Sequence, residues 1–167
     1  SGRGNPFLYY ANGAACSEVI IDRLTGATHI ERVDILHDTG NSLNPALDKG
    51  QIEGGFVQGA GWLTSEELKW DDKGRLLTIS PATYKIPAIS DRPTKLSIEL
   101  LDKPNSAATI ARSKAVGEPP FMLGISVWCA IRDAISSISG YRISPSLDAP
   151  ATPEAILNAI TTLEDSL

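Results

Sequence analysis

A glutamate held between a glycine and two prolines is the feature that most constrains this chain. Residues 117–121 read Gly-Glu-Pro-Pro-Phe and stand directly ahead of the longest helical pattern. Pro119 and Pro120 fix φ and suit the first turn of a helix, where a missing N–H costs little. Gly117 lets another group approach the backbone closely. Glu118 is therefore presented on a stiff turn, where it either points into a cavity and moves protons or interacts with the positive end of the helix dipole.

Two helices are predicted in the second half of the chain. Apolar residues recur at helical spacing over residues 120–139, and Gly140 is expected to end this helix. Thr152 is a good N-cap, and Pro153 suits the first helical position. The spacing of the residues that follow predicts a shorter helix to about Leu163.

The first forty residues predict a β-hairpin. Residues 13–22 and 28–36 are strand-like and flank a turn at 24–26, which favours antiparallel pairing. Turn-forming residues then fill 37–45, which we expect to be a loop. Further strands are predicted at 76–80 and 95–101, on either side of an extended segment at 81–94 that contains three prolines. The fold class is therefore α+β, in one compact unit over residues 1–167.

A glycine-rich segment at residues 46–68 is predicted to be helical. It contains five glycines, and each costs up to about 1 kcal/mol relative to alanine in a helix interior. So many glycines indicate close packing against another backbone or a cofactor. Gln51 could hydrogen-bond a polar cofactor, while the alternative is a helix that packs tightly through small residues. The glycine spacing fits neither a P-loop nor a dinucleotide-binding fingerprint.

Composition and charge exclude several partner classes. The chain is 42% hydrophobic and 21% charged, which is typical of a soluble globular protein. Its net charge of −5 offers no electrostatic footprint for nucleic acid or an anionic membrane. We expect no apolar run to span a membrane, because charge or glycine interrupts the longest ones. No secretory signal opens the sequence. Two cysteines are too few for a disulfide framework, and reduced thiols favour a cytoplasmic location.

The remaining chemically active side chains favour structural roles. Cys16 and Cys129 are expected to be reduced and buried. With two cysteines and two histidines, a zinc or iron–sulfur site built by this chain alone is not expected. His37 and Asp38 are expected in a solvated loop or as turn caps. Lys114 is assigned to support the turn that carries Glu118.

Taken together, these motifs resemble a known family. Residues 113–120 (Ser-Lys-Ala-Val-Gly-Glu-Pro-Pro), with residues 51–62, resemble the molybdenum-binding subunit of xanthine dehydrogenases, which are molybdenum hydroxylases. Further similar segments are residues 5–7, 13–19, 42–46, 66–68, 84–88 and 150–154. The resemblance therefore spans nearly the whole chain, and implies the C-terminal portion of a molybdopterin-binding domain.

The resemblance also implies roles for individual residues. Glu118 matches the general base, and Gln51 matches a glutamine that hydrogen-bonds the region of the molybdenum–molybdopterin cofactor. Val116 and Gly117 are expected to shape the same wall through their backbones. No residue of this chain is expected to bind the metal directly.

Partners and substrate follow from the same resemblance. The remaining part of the molybdenum subunit is expected as a partner, with [2Fe-2S] clusters, FAD and NAD in companion domains or subunits of a multi-subunit oxidoreductase. The isolated chain is expected to be inactive. The two prolines after Glu118 favour purines, oxidised from hypoxanthine to xanthine and from xanthine to urate. An aldehyde- or N-heterocycle-oxidising hydroxylase, and a non-catalytic remnant or interaction module, are the alternatives.

Overall fold

A three-stranded sheet and three α-helices organise the computed structural model, which describes residues 2–4 and 6–167. The elements are β1 (Gly13–Ile21), β2 (Thr28–His37), α1 (Pro45–Thr64), β3 (Lys95–Leu100), α2 (Ile125–Ser136) and α3 (Pro153–Glu164). This arrangement confirms the predicted α+β class.

The predicted hairpin is present. β1 pairs antiparallel with β2, with Gly13 opposite His37. The N–H of Gly26 donates to the Asp22 carbonyl at 2.8 Å and closes the turn. Gly26 has a φ of +72°, and a Cβ there would lie 2.2 Å from the carbonyl oxygen of Pro153. Both its backbone conformation and its contact with the start of α3 therefore require glycine.

β2 is the central strand of the sheet. β3 pairs with it in parallel, from Arg32 opposite Lys95 to His37 opposite Leu100. The order β1-β2-β3 therefore places the end of β2, and the loop that follows it, in the middle of the molecule. The core combines apolar residues of the sheet with those of the three helices, and its fully buried members include Val33, Ile52, Phe56, Val127, Ile131 and Ile156.

Glycines of α1 allow its backbone to pack directly on the 3-10 turn Pro119–Gly124. A Cβ at Gly59 would lie 2.1 Å from the Phe121 carbonyl oxygen. A Cβ at Gly124 would lie 2.5 Å from the backbone nitrogen of Ala60. Packing of backbone on backbone thus accounts for these glycines, as predicted by the interpretation that the helix packs tightly through small residues.

α1 ends earlier than predicted, at Thr64 rather than residue 68. The N–H groups of Ser65 and Glu66 both donate to the Gly61 carbonyl, at 3.0 and 2.9 Å, which closes the last turn. The chain then turns so that the carboxylate of Glu66 accepts a hydrogen bond from the Tyr84 hydroxyl at 2.5 Å. This tertiary hydrogen bond ends the helix where local helix propensity does not.

The predicted strand at residues 76–80 is wrong. Its pairing is reduced to an isolated bridge between Trp70 and Leu76. The carboxylate of Asp71 accepts hydrogen bonds from the N–H groups of Lys73 and Arg75, both at 2.9 Å. These bonds close a local turn, and they replace pairing with the sheet.

The predicted helix over residues 120–139 consists of three parts. It begins as the 3-10 turn Pro119–Gly124, continues as α2 and finishes as the 3-10 turn Ser137–Ser139. Gly140 then adopts a left-handed conformation with a φ of 62° and ends the helix as predicted. The first part is 3-10 rather than α-helical where it packs on the backbone of α1.

The segment Pro119–Ser139 is apolar enough to need an explanation. Its length and a mean hydropathy of 1.4 would allow it to cross a membrane, which contradicts the expectation that no run in the chain is long enough. Val127, Ile131 and Ile135 of this segment are buried in the core. Packing within the fold accounts for these three residues, whereas Met122 and Ile125 of the same segment are 60% and 43% exposed.

The last helix follows its prediction closely. The hydroxyl oxygen of Thr152 accepts a hydrogen bond from the N–H of Ala155 at 3.2 Å, and Pro153 is the first helical residue. α3 ends at Glu164, one residue beyond the predicted Leu163.

Both cysteines are free and exposed, so the expectation that they are buried is wrong. Cys16 lies in β1, where exposed residues alternate with half-buried ones, and it occupies an exposed position. Cys129 lies on α2 between the buried Val127 and Ile131, but on another side of the helix. The apolar neighbours in sequence are on the opposite faces of these elements.

Two glycine-to-alanine variants test the packing of α1. Gly59→Ala places a methyl group against the Phe121 carbonyl, so it should lower the free energy of unfolding by about 1–3 kcal/mol or more. Among the described residues, a Cβ at Gly54 would meet no tertiary contact within 4 Å, so Gly54→Ala should raise that free energy by up to about 1 kcal/mol. Urea denaturation of the two variants measures both effects. Equal effects of the two substitutions would contradict the packing described here.

Candidate functional site

Glu118 ends a short segment that we call the glutamate loop, residues 113–118. The first residue of this loop forms an isolated antiparallel bridge with Gly40 in the loop after β2. The N–H of Lys114 donates to the Thr39 carbonyl at 2.8 Å. Gly40 has a φ of +62°, and a Cβ there would lie 2.4 Å from the Arg112 carbonyl oxygen. A glycine at this position therefore allows the two loops to lie side by side.

A buried ion pair joins the same two loops. The Nζ of Lys114 lies 2.5 Å from the Oδ2 of Asp38, and their side chains are 10% and 2% exposed. The same Nζ donates to the Tyr10 carbonyl at 2.8 Å. The other carboxylate oxygen of Asp38 accepts a hydrogen bond from the N–H of Gly40 at 3.0 Å. The lysine assigned to support the glutamate loop therefore does so through a buried aspartate.

Hydrogen bonds keep Asp38 ionised despite its burial. Burial raises the pKa of this carboxyl, but hydrogen bonds from Lys114, Gly40 and Asn12, together with the charge of Lys114, outweigh it, and the net pKa lies below the usual value. The expectation of a solvated loop is therefore wrong for Asp38, while the expectation of a turn cap is right. Asp38 and Lys114 are 76 positions apart, and no local pattern pairs them.

His37 is also buried rather than solvated. It is 2% exposed, and both ring nitrogens are buried without a hydrogen-bond partner among the residues that the structure describes. A Cβ at Gly13 would lie 2.7 Å from its Nδ1. Burial lowers the pKa of His37, and the neighbouring charge of Asp38 opposes this only in part. The ring is therefore neutral in the folded chain near pH 7.

The segment before β1 completes this side of the site. The hydroxyl oxygen of Tyr9 accepts a hydrogen bond from the N–H of Ala115 at 2.9 Å. The N–H of Asp38 donates to the Asn12 carbonyl at 2.8 Å. Three stretches that are distant in sequence, residues 9–12, 38–40 and 112–115, thus meet at Lys114.

The other end of the glutamate loop is fixed by packing. The Glu118 carbonyl accepts a hydrogen bond from the N–H of Phe121 at 3.0 Å, which forms the 3-10 turn. The ring of Phe121 packs edge-on against Trp62 of α1, with 4.8 Å between centroids. The carboxylate of Glu118 is exposed and makes no capping hydrogen bond to this turn. Glu118 is therefore held by its backbone while its side chain is free for a ligand.

The structure brings together the residues predicted to contact a cofactor. A Cβ at Gly117 would lie 3.4 Å from the Oε1 of Gln51. The Gly117 carbonyl oxygen lies 3.5 Å from where a Cβ of Gly55 would be. The side chain of Val116 packs against the core, which leaves its backbone to shape the surface. Gln51 and Gly117 are thus neighbours, and Glu118 follows directly.

The face of α1 around Gln51 suits a polar ligand. Gln51 is exposed, and its amide carries both donors and an acceptor. A Cβ at Gly50 or Gly54 would meet no tertiary contact within 4 Å in the part of the chain that the structure describes, so bare helix backbone lies open beside this amide. These residues fit a large polar cofactor that contacts the backbone closely. Across residues 2–4 and 6–167, no group of three or more His, Cys, Asp or Glu residues is placed to hold a metal ion.

A family model and several curated proteins match this chain. Residues 1–93 match the family model of the molybdopterin cofactor-binding domain. Xanthine dehydrogenase/oxidase of Gallus gallus is 55% identical over 163 residues, which cover 95% of this chain and 12% of that protein. Aldehyde oxidase 1 of Cavia porcellus is 49% identical over 158 residues, which cover 93% of this chain and 12% of that protein. The chain thus spans about 12% of the length of the curated relatives it matches.

A solved structure shares the fold. Quinoline 2-oxidoreductase from Pseudomonas putida 86 matches with a TM-score of 0.81 at 31% identity, over 90% of this chain and 19% of that one. The fold of this chain therefore occurs in that protein as about a fifth of a larger chain.

Burial of the neutral His37 ring predicts a pH dependence of stability. The unfolded chain takes up a proton at His37 near pH 6.5, whereas the folded chain does so only at lower pH. The free energy of unfolding therefore decreases as the pH falls below about 6.5, because the unfolded chain then binds more protons than the folded chain. His37→Leu removes this titrating group. As the pH falls from about 6.5 to 5, the free energy of unfolding of the variant should therefore decrease less than that of the wild type.

The measurement is the free energy of unfolding of both proteins at several pH values from 7.5 to about 5, within the range where histidine titrates. The exposed His29 offers a matched control, His29→Gln. A stability difference between wild type and His37→Leu that stays constant across this range would contradict the buried neutral ring.

Proposed function

Because the chain belongs to the family of molybdopterin cofactor-binding domains, we propose that it forms part of the active site of a molybdenum hydroxylase, with Glu118 as general base. One observation carries this proposal. The amide of Gln51 lies beside the backbone of Gly117, and the next residue presents a carboxylate that makes no capping hydrogen bond. A polar cofactor on α1 would thus lie next to a group that can accept a proton.

The chemistry divides between the cofactor and the protein. Molybdenum–molybdopterin, when bound, supplies the two-electron oxidation that inserts oxygen from water into a carbon–hydrogen bond. The net reaction converts R–H and H2O to R–OH, two protons and two electrons. Glu118 accepts one of these protons on a carboxylate oxygen. Companion domains or subunits that hold [2Fe-2S] clusters and FAD, with NAD as acceptor, would take up the two electrons.

The other residues of the site orient the cofactor and help to exclude water from it. Gln51 hydrogen-bonds the cofactor region through its amide. Val116 and Gly117 present backbone at the wall beside Glu118. Because Glu118 is exposed in these 167 residues, the remaining part of the molybdenum subunit must cover it to exclude water. The isolated chain is therefore inactive, and the active form is the longer protein, which we place in the cytoplasm.

Purines are the proposed substrates, with oxidation of hypoxanthine to xanthine and of xanthine to urate. The two prolines after Glu118, and relatives named xanthine dehydrogenase at 50–55% identity, support this assignment. Aldehyde oxidation is the second candidate, because the aldehyde oxidase of Cavia porcellus is 49% identical. Comparison of kcat/KM for xanthine and for an aromatic aldehyde discriminates between the two.

The general-base assignment predicts the outcome of a single substitution in the full-length protein. Glu118→Gln keeps the size and polarity of the side chain but removes the proton acceptor. It should lower kcat by about 10²- to 10⁴-fold, the usual contribution of a positioned base, with molybdenum content unchanged. Steady-state assays with xanthine and metal analysis measure the two quantities.

The matched control is Glu99→Gln, the same substitution at an exposed position on β3, which should leave kcat unchanged. A Glu118→Gln enzyme with wild-type kcat, or with all its loss explained by missing molybdenum, would refute the assignment.

The contact of Gln51 with the cofactor gives a separate prediction. Gln51→Ala should weaken retention of the cofactor by about 2- to 10-fold, the effect of one lost hydrogen bond. Gln58→Ala provides the control, because Gln58 is exposed on the same helix two turns further along. Molybdenum content after dialysis is the readout. Equal molybdenum loss from the two variants would contradict a specific role for Gln51.

A further inference from the structure

We propose that Asp38 and Lys114 are positioning residues for Glu118, and that their buried ion pair sets where the glutamate loop lies. The inference rests on the proposed function, since it takes Glu118 to be the base. Neither side chain is proposed to contact the substrate. Their effect on the reaction passes through the backbone of residues 115–118.

The ion pair differs in burial from others in the described chain. Lys114 and Asp38 are 10% and 2% exposed in their side chains, whereas the pair of Arg32 and Asp34 is 57% and 44% exposed. Exposed pairs contribute little to stability. A buried charge that loses its partner is strongly unfavourable, so neither member of the buried pair can move away alone. This pair therefore acts as a fixed point.

The hydrogen bonds at Lys114 hold both its side chain and its backbone. Its Nζ contacts the Tyr10 carbonyl and Asp38, and its N–H donates to Thr39 at 2.8 Å. The next residue, Ala115, donates to the Tyr9 hydroxyl at 2.9 Å. Three segments of the chain thus converge just before the part of the loop that ends in Glu118.

The stretch between this fixed point and Glu118 has little support of its own. Val116, Gly117 and Glu118 lie outside the helices and strands. Among the described residues, their N–H groups donate no hydrogen bond to a backbone carbonyl. The path of residues 116–118 is thus set by its two ends: Lys114 on one side and the prolines packed on α1 on the other. Release of the Lys114 end would let the carboxylate shift, and a displacement of about 1 Å can reduce turnover by about 10²-fold.

A double substitution in the full-length enzyme separates positioning from stability. Lys114→Met alone leaves a buried unpaired carboxylate and endangers the fold. Asp38→Leu combined with Lys114→Met removes both charges, and apolar replacement of a buried pair is often tolerated. We expect a folded enzyme with normal molybdenum content, kcat lowered at least 10-fold, KM changed less than 3-fold, and faster amide hydrogen exchange at residues 115–118.

Two further variants complete the test. The single variant Lys114→Arg keeps the charge beside Asp38. Its kcat and its protection from exchange should lie between those of the double variant and the wild type. Arg32→Met combined with Asp34→Leu removes an exposed pair and should change neither quantity. If the double variant at 38 and 114 does not fold, Tyr9→Phe takes its place. It removes only the acceptor of the Ala115 N–H, and should lower kcat about 3- to 10-fold and speed exchange at that amide.

Several results would overturn the inference. A folded double variant with wild-type kcat and unchanged exchange would show that the pair does not position the loop. If the double variant fails to fold, wild-type kcat and exchange in Tyr9→Phe would show that the contacts at the Lys114 end of the loop do not position Glu118. The proposed function fails separately, if Glu118→Gln retains turnover. In that case the exchange rates at residues 115–118 alone decide whether the ion pair holds the loop.

Discussion

The backbone packing of α1 on the turn after Glu118 is the contact on which the rest of the structure depends. Gly59 and Gly124 bring two backbones so close that neither position has room for a side-chain carbon. Helix interiors disfavour glycine by about 1 kcal/mol, so this geometry is obtained at the expense of helix propensity. In return, Gln51 on α1 and Gly117 before the turn lie next to each other. A looser helix contact would separate the two halves of the site.

A buried ion pair fixes the other end of the glutamate loop. β2 is the central strand, so the residues that follow it lie in the interior, and Asp38 is buried with an ionised side chain. Lys114 neutralises that charge and thereby joins the loop after β2 to the glutamate loop. Glu118 is thus held between a dry, close-packed contact and a buried ion pair, although its own side chain is exposed. This combination of a rigid backbone and a free carboxylate suits the role of general base proposed for Glu118.

Local sequence was sufficient for most of the fold. The hairpin, β3, the helix that Gly140 ends and the helix capped by Thr152 all follow from periodicity and terminal residues, which act within a few positions. The errors arise where distant contacts decide. Tertiary hydrogen bonding of Glu66 shortens α1, and Asp71 closes a turn in place of the strand at 76–80. Cys16 and Cys129 are exposed because adjacent residues of an element face opposite sides.

The candidate site was predictable only in part, for the same reason. Glu118 stands out because its neighbours restrict the backbone, and Gln51 because glycines surround it. The family resemblance then relates both residues to one cofactor. The ion pair of Asp38 and Lys114 carries no such local signal, because its members are 76 positions apart and each belongs to an ordinary loop. Only the three-dimensional arrangement shows that they meet.

Crystals of the full-length protein, with data collected at the molybdenum absorption edge, would locate the metal relative to Gln51 and Glu118. We expect a molybdenum peak in the space between the Gln51 amide and the Glu118 carboxylate, on the open face of α1. A molybdenum peak on another face of this domain would contradict this expectation, and so would an intact, molybdenum-loaded protein in which Glu118 points away from the metal.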